Sequence, residues 1–132
     1  MRVYELRRAG GGLLATRVAL VHTGHVARPL LAVDTGSIYT LIEPSFLSAL
    51  GLELSQPVEM VNVVGVGGSR RLPCFVLERL NCFGMILENV RVLALEFSGI
   101  LPSIHGVLGL RELRASQATL DLVRNTVLMV KG

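Results

Sequence analysis

The sequence predicts an all-β fold, a small partly closed β-barrel with one or two short helices. Three observations predict it. Hydrophobic residues fill 51% of the 132 positions and charged residues 17%, the balance of a chain that buries a core. Short stretches rich in Val, Leu and Ile recur between glycine turns, the spacing of many short strands. Only two segments read as helices, and both are short. One domain over residues 1–132 is expected, burying roughly two-thirds of the surface that the unfolded chain exposes.

The elements follow in order. Val3–Arg7 reads as a strand ended by Gly10-Gly11-Gly12. Ala15–His22 and Val26–Val33 flank Thr23-Gly24-His25 as a hairpin. Asp34-Thr35-Gly36-Ser37 interrupts the apolar run, and Ile38–Ile42 resumes it. Glu43–Gly51 is the first helix, with Pro44 suited to its first turn and Gly51 to its stop. Val58–Val64 and Arg70–Asn81 form a long hairpin tipped by Gly65-Val66-Gly67-Gly68-Ser69. Phe83-Gly84-Met85 turns the chain into Ile86–Phe97, and Ser98–Ser103 is a loop. Val107–Leu110 leads into the second helix, Arg111–Ala115, and Thr119–Val123 with Thr126–Val130 closes the chain as a hairpin.

Composition excludes several classes. No apolar run approaches the roughly 20 residues of a membrane-spanning helix. The opening MRVYELRRAGGG has no apolar stretch of the signal-peptide kind, so neither leader nor membrane anchor is expected in this chain. The net charge of +3 comes from twelve arginines and one lysine scattered along the sequence, with pairs at Arg7-Arg8 and Arg70-Arg71. Nucleic-acid surfaces cluster such charges with aromatics, and aromatics are 5% here, so no nucleic-acid partner is expected. Cys74 and Cys82 are the only cysteines. On one strand they lie too far apart for a disulfide, and buried free thiols in a reducing, cytoplasmic setting are expected. His22 and His25 have no third ligand in view and read as turn residues; His105 reads as structural, and Arg70-Arg71 as a solvated pair. No metal and no cofactor are expected.

The strongest signal for chemistry is Val33-Asp34-Thr35-Gly36-Ser37. An aspartate is an odd choice directly after the apolar run Leu30–Val33. Hydroxyls at Thr35 and Ser37 can hydrogen-bond, and Gly36 lets backbone approach closely, which are the parts needed to hold a carboxylate in a loop. The plain alternative is a turn that ends a strand.

The segment Ala32-Val33-Asp34-Thr35-Gly36-Ser37 resembles the catalytic motif of the retropepsin-like aspartic proteases, bacterial type. Gly106-Val107-Leu108-Gly109-Leu110, about seventy residues on, is similar to that family's hydrophobic-hydrophobic-Gly segment before a short C-terminal helix. The hairpin Val61–Phe75 stands where the family has a flap. One departure is plain: related bacterial sequences place an aspartate and then an aromatic after this segment, where Arg111 and Glu112 stand here. The helix is therefore expected to be held differently.

The resemblance implies an endopeptidase in which Asp34 is catalytic. Peptide hydrolysis needs a base toward water and an acid toward the leaving amine. Two carboxylates sharing one proton supply both. The only other aspartate, Asp121, has no glycine after it and reads as an exposed strand position. The second carboxylate is therefore expected from a second copy, which makes a homodimer a requirement. The resemblance also implies that Thr35 bonds across the dimer axis, that Gly36 admits substrate backbone and that Ser37 donates to Asp34. Gly65, Val66, Gly67, Gly68 and Ser69 would form the flap over a peptide or protein substrate. A non-catalytic peptide-binding or dimerisation module on the same fold is the competing reading.

Overall fold

The computed structural model describes every residue except 66, 98, 100–102 and 131–132. Its strands are β1 (Arg2–Glu5), β2 (Arg7–Arg8), β3 (Leu14–Arg17), β4 (Ala19–His22), β5 (His25–Ala27), β6 (Leu30–Val33), β7 (Thr40–Ile42), β8 (Glu59–Gly65), β9 (Gly68–Cys82), β10 (Met85–Ala94), β11 (Gly106–Leu108), β12 (Thr119–Asp121) and β13 (Thr126–Met129). Its helices are α1 (Pro44–Ala49) and α2 (Leu110–Ser116). The main sheet runs β2-β3-β6-β11-β7-β10-β9-β4-β5, with β8 added along β9. It curls without closing, so the barrel is partial, as the sequence predicts. A separate three-stranded sheet runs β1-β13-β12.

Two apolar stretches that read as single strands are each split. The Val18 N–H leaves the ladder and donates to the Pro29 carbonyl at 3.2 Å. Pro29 has no N–H to offer a ladder, so the chain changes partners there. β3 then pairs with β6, while β4 pairs with β5 and β9. The short hairpin around Thr23-Gly24 survives as β4–β5. The helices start and stop where turn chemistry says. Pro44 opens α1, and Gly51, at φ +85°, ends it with its N–H on the Ser48 carbonyl. The Ser98–Ser103 loop falls largely outside the described residues.

The main core contains Leu20, Leu31, Ile42, Leu77, Leu80 and Leu108, all fully buried. Leu47 and Leu50 from α1 and its end belong to the same cluster. A smaller cluster of Leu72, Cys74 and Leu93, with Tyr39, Leu41, Val61 and Val63 against it, lies at the base of the β8–β9 hairpin. Both cysteines are on β9, buried and unpaired. The terminal segments pair with each other: β13 has β1 on one side and β12 on the other. No helix among the described residues is long and apolar enough to cross a membrane.

The feature that positions the site is the insertion of β11 between β6 and β7, parallel to the first and antiparallel to the second. β6 and β7 are joined by residues 34–39, so this loop must cross the end of β11. Close passage explains the two glycines around Val107-Leu108. A Cβ on Gly106 would lie 2.0 Å from the Leu41 carbonyl oxygen, and one on Gly109 2.3 Å from that of Tyr39. No side chain fits at such separations.

Candidate active site

Asp34 is the first residue past β6, half-buried, and its backbone N–H donates to the Leu108 carbonyl on β11 at 3.1 Å. The loop then turns on itself. The Gly36 N–H donates to Asp34 Oδ1 at 2.9 Å, and the Ser37 N–H to the Asp34 carbonyl at 3.2 Å. A carboxylate that accepts from its own loop backbone has a fixed direction. Thr35 and Gly36 are exposed at the tip of the loop.

Ser37 departs from expectation. Its hydroxyl donates to the Tyr39 carbonyl at 2.7 Å and not to Asp34. Within one chain it closes the second half of the loop, and the Gly36 N–H makes the contact to the carboxylate.

Helix α2 holds the far side of the loop. Its first-turn N–H groups have no partners inside the helix. Leu110 N–H donates to the Ser37 carbonyl at 2.7 Å, and Arg111 N–H to the Ile38 carbonyl at 3.2 Å. The Arg111 guanidinium lies 5.4 Å from the centre of the Tyr39 ring, within cation–π range.

A cleft of about 380 Å³ opens between this loop and the first arm of the β8–β9 hairpin, lined by Gly36, Ser37, Ile38, Tyr39, Leu41, Asn62, Val63 and Val64. A smaller one of about 190 Å³ lies under the hairpin tip and shares Leu41 and Val63 with it. In the tip, Gly65 pairs with Gly68, and Gly67, Gly68 and Ser69 are exposed. Val66 lies outside the described residues. Gly68 takes φ +109°, which favours glycine. Arg70 and Arg71 are exposed on the returning arm.

The remaining candidates have local partners. Asp121 accepts from the N–H groups of Val123 and Arg124 and from the Arg124 guanidinium, each at 3.0 Å. Those bonds, Arg124's first, hold its carboxyl below the usual range. His22 faces His25 across the β4–β5 hairpin and accepts from Glu78 N–H at 3.3 Å. His105 accepts the Leu30 N–H on Nδ1 at 2.9 Å, and burial, with Arg17 nearby, lowers its pKa. That keeps the ring neutral and able to accept. No group of three or more His, Cys, Asp or Glu side chains among the described residues is placed to hold a metal.

Two site residues escape sequence reasoning: Thr40 and Glu112. Thr40, fully buried, donates from Oγ1 to Glu112 Oε1 at 2.6 Å and accepts from Gly109 N–H at 3.0 Å. Glu112 is 7% exposed. Burial pushes its carboxyl above the usual range, opposed by the Thr40 hydrogen bond and by Arg111. In this chain the first turn of the helix is tied to β7 by Glu112 through Thr40. The sequence marks Glu112 only as part of a departure from the family pattern, and nothing in it points to Thr40.

A family model described as aspartyl protease matches residues 22–111. No curated protein sequence matches the chain. Among solved structures, a retropepsin-like aspartic protease from Rickettsia conorii is 16% identical and superposes with a TM-score of 0.70, over 96% of this chain and 88% of that one. The retroviral protease-like domain of Ddi1 from Leishmania major is 17% identical, with a TM-score of 0.60 over 91% of this chain and 90% of that one. The EIAV protease, complexed with the inhibitor HBY-793, is 17% identical, with a TM-score of 0.57 over 86% of this chain and 96% of that one. At these identities the three structures establish a shared retropepsin fold.

Proposed function

The chain belongs to the aspartyl protease family, and on that premise we propose that it is a homodimeric endopeptidase whose two Asp34 carboxylates share one proton. The observation that carries this reading is the placement of Asp34. It sits in a backbone-bonded loop beside a cleft, while the only other aspartate is engaged by its own turn. One chain therefore offers one Asp-Thr-Gly loop, and a two-fold axis through the Asp34 loops supplies the second carboxylate.

The chemistry follows from the pair. Two carboxyl groups about 3 Å apart do not both ionise. The ionised one takes a proton from water as the water attacks the peptide carbonyl. The protonated one hydrogen-bonds the carbonyl oxygen and then passes a proton toward the leaving amine. Thr35, exposed at the loop tip, bonds across the axis, and Gly36 leaves room for substrate backbone. Gly65 to Ser69 close over the peptide and exclude water. Ile38, Tyr39, Leu41 and Val63 give the cleft an apolar lining suited to the apolar side chains of an extended peptide. Two buried, unpaired thiols fit work in the cytoplasm.

The test is Asp34→Asn, which keeps the side chain's size and removes its ionisation from both halves of the site at once. General acid–base catalysis is worth about 10²–10⁴-fold, and both partners are lost together, so cleavage of casein between pH 4 and 7 should fall below detection while the protein stays folded. Undiminished cleavage by the variant would overturn the assignment. If neither protein cleaves casein or a broad peptide library, yet both bind peptide, the binding-module reading takes its place.

A further inference from the structure

Glu112 is the one carboxyl side chain that the fold buries among the described residues. Taking a carboxyl group out of water is unfavourable unless its partners compensate, so its place in the hydrogen-bond pattern is informative. It stands on the first turn of α2, and its Oε1 accepts the Thr40 hydroxyl of β7 at 2.6 Å. That hydroxyl's oxygen accepts the N–H of Gly109, the residue that leads from β11 into α2. Leu108, just before it, receives the N–H of Asp34. On the other side, Leu110 and Arg111 hold the carbonyls of Ser37 and Ile38. The contacts that grip residues 34–39 from outside thus converge on Leu108–Arg111, and the Thr40–Glu112 pair ties that segment to β7.

We propose that Glu112 is a positioning residue for Asp34, acting through Thr40 to fix the first turn of α2 and, through that turn, the loop that carries the carboxylate. Its side chain touches neither substrate nor reacting atoms. A Glu112 that merely satisfied a core position would contribute to global stability alone. A positioning Glu112 controls the local order of the loop, and the two roles separate in measurement. A leucine at this position fills similar space and spares the cost of burying a carboxyl group, which offsets part of the loss. It removes the acceptor for Thr40 all the same.

The experiment is amide hydrogen exchange, resolved by residue, on wild type, Glu112→Leu, Thr40→Val and Glu112→Gln. Leaving a buried hydrogen-bonding group without its partner corresponds to about tenfold or more in a local opening equilibrium. Leu110, Arg111 and Ser37 should therefore exchange at least about tenfold faster in Glu112→Leu and Thr40→Val. Leu77 and Val90, on the β9–β10 ladder, serve as internal references and should keep their rates. Glu112→Gln, whose amide oxygen still accepts from Thr40, should restore most of the protection. Wild-type exchange at Leu110, Arg111 and Ser37 in both Glu112→Leu and Thr40→Val would overturn the proposal, as would uniform acceleration across the reference amides. The catalytic consequence rests on the endopeptidase reading: kcat per folded dimer should fall in Glu112→Leu with KM little changed. A wild type that cleaves nothing would sink that reading and leave the exchange result to decide the role of Glu112.

Discussion

The Asp34 loop and the flap tip border the same cleft and are held in opposite ways. Residues 34–39 are bonded within the loop, to β11 and to α2. The tip at Gly65–Ser69 is held by its own ladder, Gly65 to Gly68 and Val64 to Ser69. A Cβ at Gly65, Gly67 or Gly68 would meet nothing within 4 Å, and Val64 is 82% exposed. A loop that aims a carboxylate needs every direction opposed by a neighbour, whereas a segment that closes over a substrate needs few. Glycine serves both regions for different reasons. At Gly106 and Gly109 it admits a neighbouring backbone; at Gly68 it supplies a left-handed turn.

Glycine replacement tests that contrast most forcefully. Gly109→Ala forces a Cβ to within 2.3 Å of the Tyr39 carbonyl oxygen. It should cost about 1–3 kcal/mol or more, read as a lower urea midpoint, with activity falling alongside. Gly65→Ala meets open space and should stay within about 0.5 kcal/mol of wild type. Equal losses at the two positions would erase the distinction between a clamped loop and a free tip.

Much of this contrast is legible in the sequence, and the illegible part has a physical cause. Asp34-Thr35-Gly36-Ser37 is local chemistry, and so is a tip rich in glycine. Pro44 and Gly51 mark the bounds of α1 because capping acts over a few residues. The threading of β11 between β6 and β7 is hinted at only by Gly106 and Gly109, since it joins segments far apart in the chain. Thr40 and Glu112 lie 72 positions apart, and no local pattern says that a threonine and a glutamate will meet. The split at Val18 was hidden for the same reason: Pro29 announces a break in its own strand, and the matching break lies in a distant one. The partner of the Ser37 hydroxyl differs from the family expectation because the Tyr39 carbonyl lies within its reach.

A smaller effect sharpens the comparison at the base of the flap. Cys74 pairs in register with Glu59 of β8 and belongs to the cluster under that arm. Cys82 belongs to the main core, and burial pushes its thiol up to about 12. Burial raises the Cys74 thiol as well. The thiolate is the reactive form, so both should label slowly in the native protein and fully once it is unfolded without reductant. If the flap arm opens more readily than the core, Cys74 should label about tenfold faster than Cys82 under native conditions. Equal rates would mean that flap base and core open as one unit.

The central claim is that one working site needs two chains. Titration of the active enzyme with a tight-binding statine-type inhibitor counts sites against chains directly, with sedimentation of the same sample giving its mass. The shared dyad predicts that cleavage is abolished at one inhibitor per two chains, in a species of dimer mass. An endpoint of one inhibitor per chain, or cleavage by a strict monomer, would contradict it.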